Sequence, residues 1–356
     1  MIDFLIIGGG VAGASAAARL STLGSVVLLE GEDALAYHTS GRSAALFEQN
    51  YGKPSTVALN SASHAFHDAQ GILSPRGLML VGSQDMADEF ADDQKHMQLD
   101  SLTIQEAKDM VPILNDTVVD RAAFHTSAWD MDTDKLIQTF ARMARENGAI
   151  IHTKAQVDGI TKTDSGWAVS AGTNDFAARN LVNAAGAWVD QIAELAGVAP
   201  LGFTPLRRSM ARIPAPGGHD VSGWPMIFGP GEDWYAKPDA GALLVSPAEE
   251  DLTTPHDAYT DDMVLAEGLA RYEAHVTEPV TRLLSSWAGL RTFAPDRSLV
   301  LGPDVRDPSF IWCAGQGGYG MQSAPAASQL LADLVSGAAS ELGRDIVAAL
   351  SPQRFG

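Results

Sequence analysis

Apolar residues along the chain fall into short continuous runs separated by helical or turn-rich stretches. Residues 3–7 are one such run, residues 25–30 (Ser25-Val26-Val27-Leu28-Leu29-Glu30) another, and the alanine-rich stretch 11–23 lies between them. Unbroken apolar runs linked by a helix predict parallel strands covered on both faces. A polar, turn-rich segment, Tyr37 to Ser43, then leads to a helical stretch over about 55–68. The pattern changes over 76–130, where a strand at Gly77–Val81 is followed by charged, helix-forming sequence. An amphipathic helix is predicted at 133–147, capped by Asp132 or Thr133, with strands at 149–152, 155–161, 167–171 and 180–183. From 205 to 290 short strands alternate with Pro and Gly, the pattern of an antiparallel sheet. The last seventy residues return to α/β, with a strand at 309–314, glycines at 315–320 and a helix beginning near Pro325.

This order predicts an α/β fold in which a Rossmann-type nucleotide-binding domain is interleaved with a second domain built on an antiparallel sheet. The expected nucleotide-binding pieces are 1–72, 133–200 and 288–356. The expected substrate-binding pieces are 73–132 and 201–287. A length of 356 residues suits two domains, and 46% apolar with 19% charged residues excludes a disordered chain. A net charge of -20 argues against nucleic acid or anionic membrane as a partner, because both need a basic footprint. Cys313 is the single cysteine, so no intrachain disulfide marks an oxidising compartment. The run Phe4 to Ile7 lacks the basic flank of a secretory signal, and no stretch reaches the roughly 20 apolar residues of a membrane span. The expectation is a cytoplasmic protein with no integral membrane segment and no metal.

The chemistry begins in the turn after the first strand. In Gly8-x-Gly10-x-x-Gly13 the first glycine permits the tight turn, the second lets backbone approach a pyrophosphate, and the third lets helix and strand pack closely. The helix N-terminus, including Ala12, offers N–H groups and a positive dipole end to phosphates. Glu30, ending the second strand, is placed to accept hydrogen bonds from a ribose. These thirty residues predict a dinucleotide and leave FAD and NAD open. The second cluster, Gly315-Gln316-Gly317-Gly318-Tyr319-Gly320, also lies between a strand and a helix, so a cofactor reaching it must be long, which favours FAD. Ala184-Ala185-Gly186 is a third site where backbone can approach a ligand.

Taken together with Tyr37-His38-Thr39-Ser40-Gly41-Arg42-Ser43-Ala44-Ala45, Val182 to Trp188, Arg207-Arg208-Ser209, Tyr235 to Gly241 and Trp287 to Arg291, these segments resemble the D-amino-acid oxidase-like superfamily of FAD enzymes. Within it the chain is most similar to the bacterial D-arginine dehydrogenase family. The resemblance implies non-covalent FAD and oxidative deamination of a D-amino acid, with Arg208 and Arg291 holding the substrate carboxylate. It implies further that Tyr235 adds a hydrogen bond, that Tyr51 lies on a mobile loop over the site, and that Gly318 lies near the amine. The implied flavin contacts include Ser40, Arg42, Ser43, Ala44, Ala45, Val157, Ala185, Gly186, Gly315, Gly317, Gly320, Met321 and Gln322, with Gly318 and Tyr319 between them. A guanidinium fork matches a carboxylate bidentately, so the arginine assignment is also sound chemistry. Cys313, within a buried strand, is expected to pack rather than bind flavin, and His38 to be a loop residue.

Two departures bear on the substrate. Where the arginine-oxidising relatives carry a glutamate and a histidine, this chain has Leu78 and Leu46. A buried cation without a partner is costly, so the expected substrate side chain is neutral or apolar unless another acid reaches in from a loop. Three other readings stay open at this point: a glycine- or sarcosine-type amine oxidase, an FAD-dependent 2-hydroxy acid dehydrogenase, and a non-catalytic flavin-binding subunit. The electron acceptor is open as well.

Overall fold

The computed structural model describes residues 1–356. Strand β1 (Ile2–Ile7), helix α1 (Val11–Leu20) and strand β2 (Val26–Leu29) form the unit read from the first thirty residues. β1 pairs in parallel with β2 on one side and with Asn174–Asn183 on the other. Ile150–His152 extends the sheet beyond β2, also in parallel. The first half of Asn174–Asn183 pairs antiparallel with Gly166–Ala171, and its last three residues pair parallel with Phe310–Ala314. The resulting eight-stranded sheet is buried on both faces. Phe4, Ile6 and Leu28 point to the face covered by α1 and the C-terminal helix, while Leu5, Ile7, Val27 and Leu29 face Trp167 and Trp312. The alternation of strand side chains is therefore satisfied by apolar packing on both sides, which is why Phe4–Ile7 and Val26–Leu29 carry no polar residue.

Helix α1 is nearly all small residues, and Ala14, Ala16, Ala17 and Ala18 are essentially inaccessible. Small side chains let α1 lie close against both Thr133–Glu146 and Gly320–Ser336. Of the two candidate caps for Thr133–Glu146, Asp132 is the one used: its Oδ1 accepts from Lys135 N at 2.9 Å.

A second, nine-stranded sheet carries the other half of the molecule. It is antiparallel apart from one parallel pair, Leu78–Gly82 with Met226–Phe228. Thr204–Pro214 is its longest strand and pairs along nine positions with Ser285–Phe293. That strand brings Arg291 into the second sheet, and the chain rejoins the first sheet at Val300–Pro303. A three-stranded sheet of Leu46–Glu48, Ala128–Met131 and Leu73–Pro75 lies off both.

The C-terminal helix differs from the expectation. It starts at Gly320 and carries Pro325 inside it. A proline at that point removes one intrahelical hydrogen bond, a loss the otherwise buried helix tolerates. The helix N-terminus consequently lies at the glycine cluster, five residues nearer the site than a proline-initiated helix would place it. No helix is long and apolar enough to cross a membrane.

Candidate active site and cofactor channel

A continuous channel runs from the end of β2 to the second sheet. At its first end lie Gly8, Gly10, Glu30, Val157, Ala185 and Gly186. Gly8 has φ +105°, and a Cβ there would lie 2.4 Å from Ala184 O. A Cβ on Gly13 would lie 1.8 Å from Gly8 O, so only glycine lets α1 cross β1 this closely. Both oxygens of Glu30 accept backbone N–H groups, from Gly9 at 2.6 Å and Glu32 at 2.9 Å, which fixes the carboxylate at the channel wall. Ser40 lines the channel with its Oγ accepting from Val11 N at 2.9 Å, and so fastens the wall to the first turn of α1.

Farther along, Gly10, Ala12, Ser43, Ala44, Gly317 and Gly320 form the walls. Thr292 joins them with a buried Oγ1 that has no hydrogen-bond partner, a polar atom left for a ligand. The sequence reading missed Thr292, because a threonine within a strand carries no signal of its own. A cradle of glycines at a helix N-terminus, a ribose-facing carboxylate and an orphaned hydroxyl together fit a flavin dinucleotide.

Beyond the channel lies a partly open cavity with a mostly apolar lining. Six residues are common to channel and cavity: Ser43, Ala44, Tyr235, Arg291, Gly318 and Met321. They mark the place where cofactor and substrate would meet. Arg291 is half-buried there with no carboxylate partner, its one hydrogen-bond contact being Tyr51 Oη at 3.5 Å from Nη1. Burial works against its charge, but Tyr51, Tyr235 and Glu232 around it hold the guanidinium above its ordinary pKa. A Cβ on Gly318 would lie 2.9 Å from Arg291 Cζ, so the glycine makes room for the guanidinium. Tyr235 is buried, and its hydroxyl has only Met210 Sδ at 3.8 Å as a neighbour. Tyr51 donates to Glu232 Oε2 at 2.9 Å, and burial together with Glu232 raises its pKa, so the phenol stays protonated.

The remaining candidates sort differently. Arg208 lines the channel and an outer vestibule but not the inner cavity. Its Nε donates to Glu249 O at 2.9 Å, its Nη2 lies 3.6 Å from Glu250, and its buried Nη1 is unpartnered. Arg42 turns its guanidinium away, donating to Asp257, Ala258 O and Ala288 O. Gly315, with φ +74°, packs against Phe203 and is not on the channel wall. Tyr319 points its ring to the vestibule, edge-on to Tyr51. Gln322 lines the cavity while its Oε1 accepts from Glu48 N at 3.0 Å, and Ala45, with φ +48°, lines it too.

The cavity wall includes Leu46 and Leu78 together with Met97, Met226 and Phe228. Two acids do reach it, Glu48 and Glu232, neither recognisable from the sequence. Glu48 accepts from Asn50 N and lies 3.0 Å from His125 Nε2, and Glu232 is held by Tyr51.

Cys313 Sγ faces Ala12 O, and burial pushes its thiol up to about 12. It therefore stays a thiol inside the sheet, where it offers no attachment point. Acid precipitation is expected to release all flavin into the supernatant; yellow colour remaining in the pellet would show a covalent link.

The FAD dependent oxidoreductase (DAO) family matches residues 3–334. The chain belongs to this family. Its cofactor is FAD, which the glycine cradle and channel accommodate. The DAO chain is 25% identical to a glycerol 3-phosphate dehydrogenase of Caloramator mitchellensis, over 96% of this chain and 75% of that one. Its fold is shared with L-proline dehydrogenase from P. horikoshii (TM-score 0.85, 20% identity, 99% of this chain and 97% of the other). It is shared as well with FAD-bound L-alpha-glycerophosphate oxidase from Mycoplasma pneumoniae (TM-score 0.82, 20% identity, 94% of each chain).

Proposed function

We propose that this DAO-family enzyme oxidises a D-amino acid with a neutral or apolar side chain to its imino acid, which water converts to a 2-oxo acid and ammonia. The observation that carries the reading is Arg291, a half-buried guanidinium without a carboxylate partner at the junction of channel and cavity. A cation in such a place is stabilised when an anionic ligand arrives. A planar carboxylate fills the guanidinium fork, with Tyr235 Oη free to donate to one of its oxygens. Bound FAD would supply the hydride acceptor at its N5.

This chain's own residues then bind, orient and exclude water. Arg291 and Tyr235 anchor the substrate beside Gly318, and the Tyr51–Glu232 hydrogen bond closes the cavity toward the vestibule. Arg208 adds positive potential from behind, with its unpartnered Nη1 available to the anion. The apolar wall of Leu46, Leu78, Met97, Met226 and Phe228 takes the side chain. Glu232 is already held by Tyr51, and a cationic side chain reaching Glu48 would have to share that carboxylate with His125 Nε2 at 3.0 Å, although Glu48 Oε2 has no hydrogen-bond partner. The D configuration rests on the family resemblance.

The relatives' names raise a second reading, a phosphorylated polyol. The wall of leucines, methionines and phenylalanine offers few partners to polyol hydroxyls, which favours the amino acid. A panel of D- and L-amino acids, glycine, sarcosine, 2-hydroxy acids and glycerol 3-phosphate, scored by anaerobic flavin bleaching and ammonia release, tests both. D-Leu, D-Met or D-Phe is expected to give a higher kcat/KM than D-Arg. A clear D-Arg preference would overturn the apolar side chain. Fast bleaching by glycerol 3-phosphate, or by a hydroxy acid without ammonia, would overturn the amino acid reading.

A further inference from the structure

The segment Tyr37–Ser43 forms a wall shared by both halves of the FAD channel. Thr39 and Ser40 line the half at Glu30 and the half at Arg291 alike. None of the residues Thr39 to Arg42 is buried, so packing holds this wall weakly. Polar contacts hold it instead: Thr39 Oγ1 donates to Leu290 O at 2.8 Å and accepts from Leu290 N at 3.2 Å, and Trp287 Nε1 donates to Arg42 O at 3.1 Å. Arg42 Nη2 donates to Asp257 Oδ1 at 2.5 Å, and Nη1 donates to Ala258 O at 2.9 Å and Ala288 O at 3.0 Å. His38 continues the chain of contacts, with Nδ1 3.8 Å from Asp257 Oδ1 and Nε2 2.9 Å from Glu32 Oε1. Its ring also lies against Trp188, which lines the channel from the opposite side. Two residues of this one segment, Arg42 and His38, thus converge on one surface carboxylate, Asp257, whose side chain is 58% exposed.

We propose that Asp257, through Arg42 and through His38 to Glu32, is a clasp that holds this wall closed over FAD and sets the rate at which FAD leaves. A cofactor that long cannot thread a closed channel, so one wall must open for it to enter or escape. The wall with no buried residue is the one that opens, and of the contacts that fasten it the one made by the exposed Asp257 is the most accessible to water. Asp257 acts through Arg42 and is a positioning residue. Arg42 accordingly has its guanidinium in the clasp, and the channel sees only the inner side of the residue.

The test uses FAD-loaded protein. Asp257→Asn keeps the shape and removes the charge, and FAD release after dilution, followed by free-flavin fluorescence, is expected to quicken about fivefold, the upper end for a pair this exposed. Asp257→Glu should release FAD near the wild-type rate. The Asn variant should lower Tm with FAD bound and leave Tm of the FAD-free protein unchanged. Added salt should speed release from the wild type more than from the variant, because the pair is exposed. Release within twofold of wild type, or equal losses of Tm with and without FAD, would overturn the clasp and leave the pair a general stabiliser of the fold.

Discussion

Arg291→Met is expected to lower kcat/KM by between about thirtyfold and a few thousandfold while the flavin stays bound. The range corresponds to the about 2–5 kcal/mol lost when one partner of an enclosed, hydrogen-bonded charge pair is truncated. Methionine matches the arginine stem in length and apolar character, so the strand Ser285–Phe293 keeps its packing. Folding should be spared for a further reason: in the free enzyme Arg291 has no carboxylate to leave orphaned. The loss should appear mainly in KM if the guanidinium binds substrate and transition state alike, and in kcat if it sets the angle at which substrate meets the flavin. Yellow, folded protein with wild-type turnover would remove Arg291 from the site and the amino acid reading with it. Colourless protein would instead report damage to the channel, so the two failures are separable by absorbance alone.

Gly13→Ala is expected to yield protein without FAD. The added Cβ would sit 1.8 Å from Gly8 O, backbone against backbone, and no side-chain rotation relieves that contact. α1 must then move off β1, which withdraws the helix N-terminus from the pyrophosphate site. Overpacking of this kind costs about 1–3 kcal/mol in a core and more where backbone is the obstacle. Gly223→Ala is the control, because a Cβ there meets nothing within 4 Å. Flavin absorbance after gel filtration should be lost in the first variant and kept in the second, with circular dichroism separating loss of FAD from loss of fold. A yellow Gly13→Ala protein would mean that FAD does not depend on this crossing.

Much of the cofactor half was legible from residues near one another in sequence. The turn at Gly8 to Gly13 and the acid at Glu30 act within a single strand–helix–strand unit, and their roles follow from local geometry. Arg291 and Tyr235 were candidates because resemblance supplied their context, and the structure sets both at the junction of channel and cavity. The same resemblance puts Arg42 and Tyr319 at the cofactor; Arg42 lines the channel while its guanidinium is tied to Asp257, and Tyr319 lines the vestibule. A motif specifies which residue stands at a position, while the direction of a long side chain depends on what lies opposite it.

Glu48, Glu232 and Thr292 had no sequence signature, since each belongs to an otherwise ordinary stretch. Glu48 enters the site through the three-stranded sheet that pairs Leu46–Glu48 with Ala128–Met131, Glu232 through the turn after Met226–Phe228, which pairs with Leu78–Gly82, and Thr292 because Thr204–Pro214 brings Ser285–Phe293 alongside. The sequence by itself determined the dinucleotide fold, since unbroken apolar strands and crowded glycines leave the backbone one way to pack. Only the tertiary structure decided what surrounds Arg291 and what faces Leu46 and Leu78. Those neighbours arrive from strands up to hundreds of residues away, and their meeting is set by sheet register, which no local pattern encodes.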